Sequence, residues 1–112
     1  HKYMLSKINR LKSDRDFRNV FRNGRTLENQ FFRIKFLKNQ KNVSRFGFII
    51  SVKVIKKANE RNTLKRRLRA ISRFLLKDLK PGFDIVIWPK ASSAALNHND
   101  LMGSMTDLLI KI

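Results

Sequence analysis

From Glu60 to Arg69 the chain reads Glu-Arg-Asn-Thr-Leu-Lys-Arg-Arg-Leu-Arg, and these side chains suit one kind of chemistry, the binding of phosphate. Arg presents a planar fork that bonds phosphate through two parallel contacts, and Lys supplies a compact point charge. Asn62 adds an amide, donor and acceptor at once, able to meet a base edge, a ribose hydroxyl or a phosphate. On a helix, with about 100° between residues, Leu64, Leu68, Ile71 and Leu75 fall within an arc about 60° wide. Arg61, Asn62, Lys65, Arg66, Arg69 and Arg73 cover an adjoining arc of about 140°. Like charges this close repel, and a helix built for its own stability intersperses Glu at i±4. Only Glu60 is placed to do so. A solvated face is the usual fate of a charge run, but a face of nearly one sign points to a polyanion.

Hydrolytic chemistry lacks its parts. A protein nuclease needs paired histidines or carboxylates clustered around a metal. The histidines are His1, at the end of the sequence, and His98, in a polar stretch read as a solvated loop. The carboxylates are scattered, and Asp14 and Asp16, two apart on one helix, face different ways. With no cysteine, disulfides, zinc knuckles and thiol catalysis are excluded together. Neither a catalytic side chain nor a protein-held metal is expected.

The overall charge agrees with the cationic strip. Twenty-six Lys and Arg against eight Asp and Glu give a net +18. Self-repulsion of that size works against a compact state, and solubility in a small domain needs only a charge of about 2–8. A polyanionic partner relieves the repulsion, nucleic acid before an anionic membrane. The apolar share, 42% of 112 residues, fits one folded domain spanning 1–112. Residues 1–9 are expected to be a loosely ordered lead-in. No run approaches the roughly 18–20 apolar residues of a membrane span. The opening His1-Lys2-Tyr3-Met4 lacks the apolar segment and small-residue cleavage site of a secretory signal, and a cytoplasmic protein is expected.

The elements that must position the strip are legible in outline. Residues 13–24 read as a first helix: Ser13 caps it, Asp16 completes a capping box, and Gly24 ends it. Phe17, Val20 and Phe21 form its apolar face, and spacing alone favours core packing for both rings. In residues 31–37, Phe32, Ile34 and Phe36 alternate with Arg33, Lys35 and Leu37, a strand with one face in the core. A second strand over Arg45–Val52 follows a polar turn and is expected to pair with the first as an antiparallel hairpin. The central helix runs from 59 to about 79, Pro81-Gly82 turns the chain, and Phe83–Trp88 is a buried strand closed by Pro89. Asn97 caps a last helix whose stripe is Leu101, Met105, Leu108, Leu109 and Ile112. The order gives an α+β domain with a small sheet.

Arg61-Asn62-x-x-Lys65-Arg66-x-x-Arg69 is similar to the arginine-asparagine-arginine signature of the bacterial ribonuclease P protein family. Arg10-Leu11, Asp16-Phe17, Val20-Phe21 and Gly24 resemble that family's opening helix. Arg45-Phe46-Gly47-Phe48, Lys53 and Ala58-x-Glu60 resemble its second strand and the approach to the signature, and Gly82-x-Asp84 with Ile85-Val86-Ile87 its late strand. The resemblance covers residues 10 to 90 in order and spacing. One departure stands out: many members carry a glycine shortly before the alanine, where this chain has Ile55-Lys56-Lys57-Ala58.

What the resemblance implies goes beyond what spacing gives. The fold would be an αβββαβα two-layer sandwich like the second domain of a small-subunit ribosomal protein, with a left-handed βαβ crossover carrying the signature. The general rule favours the opposite hand. The protein would be an accessory subunit with no catalytic residue of its own, since in that family the RNA subunit with bound magnesium removes the 5′ leader from precursor transfer RNA. Lys53, Arg61, Asn62, Lys65, Arg66, Arg69 and Arg73 would contact that RNA. Phe17 and Phe21, with Arg10, Arg33 and Lys35, would line a cleft for the leader. The protein would be a monomer in a 1:1 ribonucleoprotein with no membrane partner, and magnesium would be held mainly by RNA. The rival readings are a basic ribosomal protein binding ribosomal RNA, a DNA-binding module and a self-sufficient nuclease.

Overall fold

A computed structural model describes residues 5–112. Its elements are α1 (Asp14–Asn23), β1 (Arg25–Glu28), β2 (Phe32–Lys38), β3 (Arg45–Phe48), α2 (Ala58–Leu75), β4 (Phe83–Pro89) and α3 (His98–Leu109), with 3₁₀ turns at Lys7–Asn9, Leu76–Asp78 and Ala91–Ala95. The sheet order is β1-β2-β4-β3. β2 is antiparallel to β1 and β4, and β3 is parallel to β4. α2 therefore joins two parallel neighbours, a βαβ unit.

The expected hairpin between β2 and β3 does not form, because β4 lies between them. The reason is the alternation within β4 itself. Ile85 and Ile87 enter one apolar cluster and Val86 the other, so the strand is buried on both faces and takes an inner position. The strand expected to reach Val52 ends at Phe48, although Ile49 still donates its N–H to the Ile87 carbonyl (3.0 Å). β1 carries a single inward apolar residue, Leu27, and gives little alternation to read.

Two apolar clusters hold the layers. On one face Phe32, Ile34, Phe36, Phe46, Ile85 and Ile87 meet Leu64, Leu68, Ile71 and Leu75 of α2 and Leu101, Met105, Leu108 and Leu109 of α3. On the other face Val20 of α1 meets Leu11 and Val86, with Phe17, Leu37, Ile49 and Trp88 packed around them. The sheet with α2 and α3 is the expected two-layer sandwich, and α1 adds a partial third layer. Gly47 permits the close approach of α1: a Cβ there would lie 2.5 Å from the Phe17 ring. The caps at Ser13 and Asn97 form as expected, each side chain accepting from the backbone N–H three residues on (3.1 and 2.8 Å). His98 is the first residue of α3 rather than a loop residue.

The lead-in is packed where it is described. Leu5 is 1% exposed in the main cluster, and Asn9 donates its side-chain amide to the Ser44 carbonyl (2.8 Å). Arg10 makes a parallel bridge with Phe46, extending the sheet beyond β3. Within residues 5–9, Leu5 and Asn9 are buried, whereas Ser6, Lys7 and Ile8 are exposed. Residues 1–4 lie outside the described residues.

Arg45 ties three elements together. Its guanidinium donates twice to the Asp84 carboxylate (2.8 and 2.7 Å) and once to Asp16 (3.1 Å), joining β3 to β4 and α1. The Asp16 carboxylate is thus engaged by Arg45, which replaces the reciprocal half of the expected capping box. Hydrogen bonding to Asp84 holds the Arg45 pKa above its ordinary value. Asp84 is 4% exposed, so removing the guanidinium strands a buried carboxylate. Arg45→Ala is expected to lower unfolding free energy by about 3–5 kcal/mol, as loss of one partner of a buried pair does. Urea denaturation checks this, and a loss below about 1 kcal/mol would place the pair in the exposed class.

Candidate nucleic-acid interface

The helix that carries the signature starts from a loop fixed by the signature's own first arginine. Arg61 donates through one Nη to the carbonyls of Ile55 (2.9 Å) and Lys56 (2.7 Å). Ser51 accepts from the Lys53 N–H through its hydroxyl (3.1 Å), and its carbonyl accepts from Val54 and Ile55. This turn leaves Lys53 exposed beside Val52 and Val54. Lys57 has φ −85° and ψ 128°, extended backbone open to any residue. No glycine is required for this route into α2.

From that start, α2 turns Leu64, Leu68, Ile71 and Leu75 into the core. Asn62, Arg66 and Arg73 are exposed, and Arg61, Lys65 and Arg69 are partly exposed. The sequence-predicted strip is therefore assembled as expected, with Arg61 engaged on the preceding loop. Among the described residues no ion pair holds Arg61, Lys65, Arg66 or Arg69. The pairs of Arg45 with Asp16 and Asp84, and of Lys90 with Glu28, lie away from α2. Arg67 is directed elsewhere, donating to the Leu96 carbonyl ahead of α3 (2.9 Å).

Arg10 stands on the α2 side of the sheet, near Arg69, rather than beside the rings under α1. Its bridge to Phe46 aligns it with a residue of the α2-facing cluster, and its Nε donates to the Leu5 carbonyl (2.9 Å). Burial lowers the Arg69 pKa first, and the like charge of Arg10 lowers it further. The two guanidiniums thus stand close enough to repel, an arrangement that an anion between them would relieve.

The opposite face carries an aromatic row. The rings of Phe17 and Phe21 are 6.1 Å apart, and those of Phe21 and Trp88 are 5.5 Å apart. Phe17 is partly buried over Gly47 and contributes to packing, whereas Phe21 is 37% exposed. Arg33 lies over the Trp88 ring at 4.8 Å, a cation–π contact. Lys35 donates its ammonium to the Phe21 carbonyl (2.6 Å), where it also offsets the negative end of α1. Phe17, Phe21, Arg33 and Lys35 are thus brought together around Trp88 and the end of α1. Beyond Arg33 the row opens into a groove of about 330 Å³ lined by Ile49, Val54, Trp88 and Lys90. Lys90 reaches across to Glu28 (2.7 Å), and that hydrogen bond lowers the Glu28 pKa.

Trp88 is the member of this aromatic row that sequence reasoning missed. It was assigned only to a buried strand, yet alternation was a usable signal: with Ile85 and Ile87 inward, Trp88 must share the face of Val86.

Among the described residues, no helix is long and apolar enough to cross a membrane. No group of three or more His, Asp or Glu stands together in an arrangement able to hold a metal ion among them.

Known proteins are similar to this chain in sequence and in fold. The family model described as Ribonuclease P matches residues 5–112. The ribonuclease P protein component of Clostridium botulinum is 33% identical over 106 residues, covering 94% of this chain and 95% of its own. That of Clostridioides difficile is 36% identical over 100 residues, covering 88% and 87%. The solved structure of the ribonuclease P protein from Thermotoga maritima superposes with a TM-score of 0.85 at 34% identity, over 92% of this chain and 96% of that one. The Staphylococcus aureus ribonuclease P protein, 21% identical, shares the fold with a TM-score of 0.81 over 92% and 93%. These matches favour the ribonuclease P protein family over a basic ribosomal protein or a DNA-binding module. This chain belongs to the bacterial ribonuclease P protein family, the protein component of the ribonucleoprotein that matures the 5′ ends of transfer RNA.

Proposed function

We propose that the strip on α2 binds the catalytic RNA of ribonuclease P while the aromatic row under α1 holds the 5′ leader of precursor transfer RNA. The observation that carries the first half is the absence, among the described residues, of ion pairs between Arg61, Lys65, Arg66 or Arg69 and the protein's own acids. Cations left without acidic partners neutralise phosphates and release counterions. Lys53 and Arg10 extend the strip at its start and flank, and Asn62 and Arg73 complete it.

The second half rests on the row Phe17, Phe21 and Trp88. An exposed ring stacks an unpaired base at about 1–3 kcal/mol without choosing among bases, which suits leaders of varied sequence. Arg33 and Lys35 stand beside the rings as phosphate contacts. The protein positions RNA, and the hydrolysis is assigned to the RNA subunit with magnesium held mainly by RNA. The scattered carboxylates support that assignment, since they offer no shared cradle for a cation. A 1:1 complex in the cytoplasm completes the reading.

The test of function is cleavage of precursor transfer RNA at low magnesium by a bacterial catalytic RNA, with and without this protein. Addition of the protein is expected to raise cleavage and tighten precursor binding; failure of both overturns the reading. Arg66→Ala with Arg69→Ala is expected to weaken binding of the catalytic RNA and to flatten its salt dependence by about 2 in log–log slope, with helicity unchanged. Filter binding at several salt concentrations measures this, and unchanged affinity removes the strip from the interface. Phe21→Ala and Trp88→Ala are each expected to weaken binding of precursor by about 1–3 kcal/mol while leaving mature transfer RNA unaffected. Equal losses for the two RNAs would show that the rings serve packing alone.

A further inference from the structure

The crest of α1 carries cations for which the cleft and the α2 strip have no use. At 100° per residue, Arg15, Arg18 and Arg22 fall within an arc of about 60° on the side of α1 away from Val20. All three are exposed, and among the described residues none is held by a hydrogen bond or an ion pair. They line, with Asp16 and Asn19, an open depression of about 400 Å³. The one carboxylate in that lining is already bound by Arg45 (3.1 Å), so it leaves the arginines uncompensated. Asp14 stands at i−4 from Arg18 without pairing with it. Asn19 is oriented by Asn23, which donates to its side-chain oxygen (2.7 Å).

Position decides what such a crest meets. Arg18 lies about 60° around the helix from Phe21, and Phe21 is the exposed end of the aromatic row against Trp88. A strand stacked on Trp88 and Phe21 that continues in the same direction climbs onto Arg18 and then reaches Arg22 and Arg15. The rise from Arg15 to Arg22 is about 10 Å, a length covered by a few phosphates of an extended strand. Arginine forks are suited to those phosphates and carry no preference for base identity.

We propose that Arg15, Arg18 and Arg22 form a phosphate track for single-stranded RNA continuous with the aromatic cleft, engaging the part of the leader upstream of the nucleotides stacked on Phe21 and Trp88. The inference rests on the leader reading of the cleft. It adds a second segment of the same strand, held by charge alone.

The experiment uses the full chain assembled with catalytic RNA and precursors whose leaders are lengthened one nucleotide at a time. In the wild-type complex, affinity should rise with leader length past the cleft and then level off. Replacing all three residues (Arg15→Gln, Arg18→Gln, Arg22→Gln) should abolish that later rise, weakening long-leader precursor roughly tenfold and reducing its salt slope by about 2. Affinity for short-leader precursor and for the catalytic RNA alone should not change. Arg18→Gln alone, nearest the cleft, should show the same length dependence at smaller amplitude, which keeps the test valid if the triple variant loses helicity. Equal loss on short and long leaders, or loss of affinity for the catalytic RNA alone, overturns the track and assigns the crest to folded RNA. No loss on any leader overturns it as well. Phe21→Ala and Trp88→Ala separate the two claims: if they leave every leader unaffected, the cleft reading fails, whatever the crest variants show.

Discussion

Burial of β4 on both of its faces holds together a chain whose charges push it apart. Ile85 and Ile87 anchor the cluster under α2 and α3, while Val86 and Trp88 anchor the smaller one under α1. Every element that presents cations is attached to one of these clusters: α2 through Leu64 and Leu68, α1 through Val20, and the lead-in through Leu5 and Leu11. Fully burying one such side chain contributes about 1.5–3 kcal/mol, and several together outweigh repulsion between solvated surface charges. The sheet order follows from the same requirement, because an apolar run on both faces of a strand takes an inner place.

The few acids are placed so that the cations stay available. Asp16 and Asp84 both serve Arg45, whose position on β3 fixes α1 against the sheet, and Glu28 serves Lys90 at the far end of β4. Neither arrangement reaches the outer side of α2. Near Arg10 the protein tolerates a close pair of guanidiniums, and burial together with that neighbour lowers the Arg69 pKa. Arg69 remains protonated at any physiological pH despite this, because an arginine starts so far above neutrality. The repulsion is consequently a standing bias toward an anionic partner.

Helix ends and faces were legible because their determinants are local. Ser13 and Asn97 satisfy backbone donors three residues on, and the apolar period of α2 names its buried side without reference to the rest of the chain. The α2 strip was readable for the same reason. What escaped depended on contacts distant in sequence. Adjacent strands usually pair, which suggested a β2–β3 hairpin, but β4 arrives from beyond α2 and takes that place. The family resemblance groups Arg10 with the residues under α1; its bridge to Phe46 at the β3 edge turns it toward α2 instead. Trp88 lay within an apolar run that hid its face until the position of the inward isoleucines was known. Arg45 resembled a motif residue, and only the fold shows that it clamps Asp84 and Asp16.

The layering gives the proposed division of labour a geometric basis. α2 and α1 lie on opposite faces of one sheet, so under that proposal the strip on one and the rings under the other would meet separate RNA segments without competing for space. The two surfaces also differ in kind. A dense row of charge suits a folded RNA whose phosphates crowd together, whereas rings with one or two cations beside them suit an unpaired strand whose bases are exposed. Because stacking and phosphate contacts read no base edges, the cleft would fix where a leader lies without fixing its sequence. On this proposal the subunit would contribute position and local charge, and the choice of the scissile bond would stay with the RNA.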